Sequence, residues 1–320
     1  MKSSIPLLQV NDQMLTKATS LYIKKPWIPL SIKEKAVHGL FLMNGMVSII
    51  VLLSIFGLLV WKSVPAFQTI PLKKFLSGGI WNPTGYYGED YGIWPMLIST
   101  FMVTIGALVI AVPVGIAAAA YLTDIASPKV REIVKPAIEL LAAIPSVVLG
   151  FLGIVLVGPL IAKLFGLNSG LNALNGSVLL AVMALPTIIS ISEDAIMSVP
   201  KSFEQASLAL GASKWETVIK VKVPAALSGI IAACMLGMGR AIGETMTVLM
   251  ATGCAVAMPE SFLSPVRTLT STIAIELGEV AYDTTHYYAL FAIGLVLFII
   301  TFLVNLIADI VLHKYGQTER

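Results

Sequence analysis

From residue 94 to residue 122 the sequence runs for 29 residues without a charge. A segment that long and apolar belongs in lipid, where every backbone N–H and C=O must be bonded within the segment, so it has to be helical. About 20 residues cross the hydrocarbon core, which leaves this run room to tilt or to kink at Pro113. Comparable runs occupy residues 40–61, 137–162, 176–192, 224–258 and 287–310. The composition agrees: 57% of residues are hydrophobic and 12% are charged, against about 25% charged in soluble domains. These features predict an all-α membrane protein with six transmembrane helices.

The connections set the topology. Residues 1–36 read as a polar, basic N-terminal tail, residues 37–313 as the transmembrane domain and 314–320 as a short C-terminal tail. Residues 62–93 hold Trp81, Tyr86, Tyr87 and Tyr91 among glycines and prolines, as an exposed interfacial loop does. Residues 123–135 and 163–175 read as short polar loops. Residues 259–285 form a more acidic loop, in which 268–275 is amphipathic enough to re-enter the membrane surface. Sorted by side, 15 of the 21 lysines and arginines fall on the face of the tails, the 123–135 loop and the 193–223 loop; five fall on the other. The positive-inside rule then puts both termini in the cytoplasm. The first apolar run has no small-residue cleavage site behind it and reads as a retained anchor. The net charge of +3 points to no nucleic-acid partner; the surrounding partner is membrane lipid. Cys234 and Cys254, placed on one helix, stand about 30 Å apart at a rise of about 1.5 Å per residue, too far to bridge.

Arg240 and Glu244 are the only charges in the 224–258 run. Four apart on a helix, they share one face. Each costs roughly 2.5–3.5 kcal/mol at the bilayer centre on insertion scales, so a chain that keeps both uses them, either in a pathway or as an ion pair locking helices together. Gly237, Gly239 and Gly243 strip bulk from the surroundings, and the Gly239-x-x-x-Gly243 spacing permits close helix approach. Thr245 and Thr247 offer hydroxyl donors, unless they back-bond to their own helix. Glu193 and Asp194 read as solvated charges at the loop side, and Glu139 and Asp309 as structural. His38, His286 and His313 lack ligand spacing, so no metal site is expected. No Gly-x-x-x-x-Gly-Lys-Ser/Thr, His-Glu-x-x-His or Gly-x-Ser-x-Gly string is present, which leaves a membrane-embedded enzyme as a weak alternative. In residues 193–223, helix-favouring residues run up to Leu210. Gly211 can stop that helix in the left-handed conformation, and a second amphipathic piece climbs to Pro224. A helix-Gly-helix of this kind suits docking into a partner's groove.

That loop resembles the EAA loop of ABC-importer permeases. The matching positions are Gln205-Ala206-Ser207, Gly211 and the downstream Val221, Val223 and Pro224. The family has Glu where this chain has Gln205, while Glu204 stands one place earlier, so docking by shape is the expectation. The strings 239–253 (GRAIGETMTVLMATG), 91–100 (YGIWPMLIST) and 143–153 (AIPSVVLGFLG) look like the phosphate-specific ABC permeases of PstC type. The resemblance covers residues 40–312. It implies a type I ABC importer permease fold in a bacterial plasma (inner) membrane, with no cofactor bound by this chain. It implies a second permease of PstA type, two ATPases of PstB type that use ATP and Mg, and an extracytoplasmic phosphate-binding protein of PstS type. It implies phosphate as substrate, with other oxyanions such as molybdate or sulfate as the alternative. An arginine suits that cargo, because it stays charged and offers a planar fork of donors to oxyanions. Glu244 could hold Arg240 between substrate arrivals, and the 193–223 loop would dock the ATPase.

Overall fold

The computed structural model describes residues 30–86 and 88–316, and side-chain surroundings for residues 34–310 except 87. The expected N-terminal tail up to residue 29 and the last four residues of the C-terminal tail lie outside the described residues. The chain divides into two compact units, Met1–Ile55 and Phe56–Arg320. In the first, the described part is the leading stretch of α1 (Leu30–Thr69), whose side chains from residue 34 to residue 55 are all exposed. Helix α1 is longer at both ends than the 40–61 run and takes in residues 30–36, read from the sequence as tail.

Among its described residues the second unit is mostly helical, with one short hairpin. After α2 (Leu72–Ser77), strands β1 (Trp81–Asn82) and β2 (Asp90–Tyr91) pair antiparallel, with Trp81 opposite Tyr91. Then come α3 (Trp94–Asp124) and α4 (Pro128–Ala143). Helix α5 (Ser146–Leu152) passes through a π-helical turn, Gly153–Val157, into α6 (Gly158–Phe165). Helix α7 (Ala173–Met197) follows, with Asn172 capping its N-terminus by accepting from Asn175 N at 3.0 Å. Beyond it lie α8 (Lys201–Ala209), α9 (Lys214–Thr217), a second π turn at Val218–Lys222 and α10 (Val223–Ala225). The chain closes with α11 (Leu227–Gly243), α12 (Met246–Ala251), α13 (Leu269–Glu276) and α14 (Thr285–Gly316).

Among the described residues, five stretches are long and apolar enough to cross a membrane: Glu34–Thr69, Trp94–Asp124, Ser146–Phe165, Ala173–Met197 and Thr285–Ile310. The sixth is a bent pair, Lys214–Ala225 with Leu227–Gly243, turning 73° at the break. Two of the expected spans are cut differently from the apolar pattern. The 137–162 run is split at Ile144, which precedes Pro145 and is pushed to an extended backbone (φ −65°, ψ 126°). Its first part joins α4, so the expected 123–135 loop is largely helix, begun by Ser127 with Pro128 at the first helical position. The span proper runs from Ser146 to Phe165 and holds Pro159 where the π turn passes into α6. The 224–258 run is broken at Ala226 and again at Glu244–Thr245. Cys254 therefore stands outside any helix, in a loop at φ 54°, and the two cysteines do not share one. The acidic 259–285 connection holds α13, whose Leu269 to Thr272 are buried.

Lipid tails are as apolar as leucine, so helices in a membrane are held by close contact rather than by escape from water. Helices α3, α7 and α11 achieve this with small residues. Ala107, Ala111, Ala181, Ala184 and Ala241 are buried in one cluster with Leu180 and Ile188. Ile188 of α7 fits between two glycines: a Cβ on Gly115 of α3 would lie 2.6 Å from its Cγ2, and one on Gly237 of α11 would lie 2.8 Å from its Cγ1. A second cluster (Phe75, Ile93, Met96, Leu269, Leu290, Ile293) packs the hairpin against α13 and α14. A third (Leu122, Ile189, Ile196, Val218, Ile230) seats the base of the α8–α9 segment.

Candidate functional site

Three glycines in seven residues, Gly237, Gly239 and Gly243, weaken the end of α11 by roughly 1 kcal/mol each relative to alanine. The helix stops at Gly243, and Glu244 is extended at φ −69°, ψ 132°. Arg240 and Glu244 therefore do not stack on one helical face, as a continuous helix would require, and no ion pair joins them. The Glu244 carboxylate instead accepts from Thr247 N at 3.3 Å, capping α12, and its main-chain oxygen accepts from Thr270 Oγ1 at 2.9 Å. Thr247 is fully buried and donates its hydroxyl to Ser146 O at 3.0 Å. That bond ties the break before α12 to the break before α5. Thr245 points its hydroxyl at Gly243 O, 3.3 Å away.

Arg240 is exposed and has no hydrogen-bond or ion-pair partner among the described residues. It shares a face of α11 with Leu236 and Gly243, both also exposed. Gly243 has open space where a Cβ would stand, and a Cβ on Gly239 would only touch Asn305 Oδ1 at 3.5 Å. Within the chain, the close approach is thus made by Gly237, and the Gly239–Gly243 pair stays open. Asn305 was not singled out from the sequence. It is an exposed amide on α14 beside Gly239, and the available signal was a lone amide inside an apolar run.

The 193–223 segment is a folded helical unit. Helix α8 carries Glu204, Gln205 and Ala206; Gly211 turns the chain at φ 87°, and Ser213 opens α9 with a reciprocal cap on Glu216. Ser207 and Thr217 hydroxyls meet at 2.9 Å across the turn, both buried. Gln205 and Ala206 are exposed, as are the apolar Phe203, Leu210 and Trp215. Glu204 points inward, 3.5 Å from Lys222 Nζ, and Lys222 also donates to Asp124 Oδ2 at 2.6 Å. Pro224 sits in α10, just before the bend.

Glu193 departs from the solvated charge expected of it. It is 1% exposed and pairs with Arg131 at 2.6 Å and Lys135 at 3.3 Å. The reason is that α7 continues to Met197, which keeps Glu193 on a helix facing α4, where the two cations stand four apart. Asp194 and Glu139 are exposed. At the hairpin end, Glu276 accepts from Trp81 Nε1 (3.0 Å) and Arg267 (2.8 Å) and lies 2.8 Å from His286 Nε2. These four groups border a cavity of about 860 Å³. Burial, with Glu89 beside it, pushes the Tyr91 phenol at that rim above its ordinary value. Glu276 and His286 lie ten residues apart across a turn, which is why their spacing carried no signal.

The family described as the binding-protein-dependent transport system inner membrane component matches residues 111–317. The probable ABC transporter permease protein YqgH of Bacillus subtilis is 41% identical over 247 residues, covering 77% of this chain and 78% of that protein. The phosphate transport system permease protein PstC of Mesorhizobium japonicum is 34% identical over 273 residues, covering 79% and 81%. Among solved structures, a bacterial alginate ABC importer aligns with a TM-score of 0.60 at 13% identity, over 89% of this chain and 97% of that one. The MetNI methionine ABC transporter aligns at 0.53 and 24% identity, over 70% and 94%. At such identities the structural likeness is one of fold. The chain belongs to the inner-membrane components of binding-protein-dependent transport systems and is a permease subunit of an ABC importer.

Proposed function

We propose that this chain is half of the translocation pathway of a phosphate importer of PstC type. The observation that carries the reading is Arg240, an exposed cation on a transmembrane helix with no ion-pair or hydrogen-bond partner among the described residues. An intramembrane charge without an internal partner faces the bundle interior or a watery path, and the exposed Leu236–Arg240–Gly243 face suits the seam with a second permease of PstA type. A guanidinium binds phosphate in either protonation state, by a fork of charge-assisted bonds. The break at Glu244 leaves non-helical backbone beside it, tolerated where it is covered by protein or lines a cavity. A conducting site must also release, and Glu244, a residue's width from the helix end, adds negative charge nearby without neutralising Arg240.

The excess of lysine and arginine on the α8–α9 side supports a cytoplasmic position for both termini and that loop. There the exposed Phe203, Leu210 and Trp215 fit a groove on an ATPase of PstB type, which uses ATP and Mg; this chain binds neither. ATP binding would close the ATPase pair, move the loops and open the permease outward to a phosphate-loaded binding protein of PstS type. Hydrolysis would reset it inward. The test is to assemble the chain with its permease and ATPase partners and add phosphate-loaded binding protein. ATP hydrolysis rises if the reading is right. An intact complex that phosphate-loaded protein leaves unstimulated, or that responds to a sulfate- or molybdate-loaded one, overturns it.

Gly211 gives a sharper test of the loop. At φ 87° a side chain with a Cβ costs about 1–2 kcal/mol, although the space around it is open. Gly211→Val therefore reshapes the turn without a clash. The expected result is an assembled complex whose ATPase no longer responds to the binding protein; an unchanged response would show that the loop docks in another way.

A further inference from the structure

Lys222, at the end of the loop, is a buried charge that the function above does not account for. Its side chain is 6% exposed. It closes the π turn Val218–Lys222, five residues before the bent pair resumes as α11 at Leu227. Its ammonium reaches Asp124, the last residue of α3, at 2.6 Å, and Glu204 on α8 at 3.5 Å. One cation therefore joins three elements: the helix that projects, the helix it must move, and the segment leading into α11. A buried ammonium holds its partners firmly, because leaving it unpaired is costly. Glu204, beside the Gln205 position, is spent on this inward contact, while the apolar Phe203, Leu210 and Trp215 stay exposed.

We propose that Lys222 is the positioning residue through which movement of the α8–α9 loop is transmitted to α3; this rests on the importer reading and adds the route inside the subunit. The packing continues the route. Helix α3 holds Ile188 of α7 against Gly115, and α11 holds the same side chain against Gly237. Contacts that close transmit displacement with little slip. A pull on Asp124 thereby displaces α3, α7 and α11 together, and Arg240 travels with α11. Neither a rigid connector nor a bond to the ATPase is needed at Glu204.

Lys222→Met tests this with little cost to folding. Methionine refills the apolar stem, and the carboxylates left behind are 21% and 35% exposed, so water takes the place of the ammonium. In the full complex, K222M is expected to assemble and keep its basal ATP hydrolysis. Stimulation by phosphate-loaded binding protein, and uptake with it, should fall about tenfold, within the about 5–150-fold range of site-to-site couplings. K222R, which keeps the cation, should retain stimulation; a merely space-filling role would favour methionine over arginine. A K222M complex stimulated like the parent overturns the proposal. Should K222M not assemble, D124N loosens the same tie from the other side, and full stimulation of that complex overturns it equally. A parent complex that phosphate-loaded protein does not stimulate fails at the importer reading itself, and this inference falls with it.

Discussion

Arg240→Gln is expected to lower phosphate uptake by at least about 100-fold while leaving the transporter assembled. Glutamine keeps an amide donor and much of the length, but loses the charge and the fork. Hydrogen bonds to charged groups are worth about 1.5–3 kcal/mol each. Losing two of them removes at least about 3 kcal/mol, and every 1.4 kcal/mol is about tenfold. The cost to folding is small, because Arg240 has no bonding partner among the described residues. Arg240→Lys should fall between the two, since a point charge remains without the planar fork. Uptake of labelled phosphate by cells or proteoliposomes, beside co-purification of the subunits, reads both effects. Parental uptake by the glutamine variant would remove Arg240 from the pathway.

The second large effect is on stability. Replacing both Arg131 and Lys135 by methionine strands the Glu193 carboxylate, which is 1% exposed and has those two side chains as its ion-pair partners. Stranding a buried charge costs about 3–5 kcal/mol. The double variant should unfold at a clearly lower temperature in detergent, and adding Glu193→Gln should restore most of the loss by removing the charge. The reverse change is milder: Arg131 and Lys135 side chains are 33% and 40% exposed, so without Glu193 they reach water. A double variant as heat-stable as the parent would mean that α4 is not anchored to α7 through this pair.

The apolar runs were legible because lipid leaves the backbone no alternative to helix, and runs of that length carry the signal many times over. The Ile144 break was written in the proline after it. The start of α9 was written in Ser213-Lys-Trp-Glu216, whose two ends cap each other, although only the Gly211 turn and an amphipathic piece after it were drawn from the sequence. The Glu244 break carries no proline, and glycines alone only weaken a helix. What completes it are hydroxyls from Thr247 and Thr270, whose bonds reach across 101 and 26 residues. Glu193 was misjudged for the same reason: its burial depends on α4 packing against α7, and until α4 is known to be a helix its two cations have no common face. Arg240 could be singled out by type and depth alone, but whether Glu244 neutralises it depended on whether the helix continued between them.

The bond from Thr270 Oγ1 to Glu244 O also bears on how the protein is made. When the ribosome has delivered α11 and α12 to the bilayer, Thr270 is still to come, and the carbonyl at the break has no partner there. A peptide group left open in hydrocarbon costs several kcal/mol, so the nascent segment is better off as one unbroken helix until the next loop arrives. The bond that covers this carbonyl can therefore form only once residue 270 has been made. A chain released before residue 270 would carry Arg240 and Glu244 on a single continuous helix, close enough to neutralise each other.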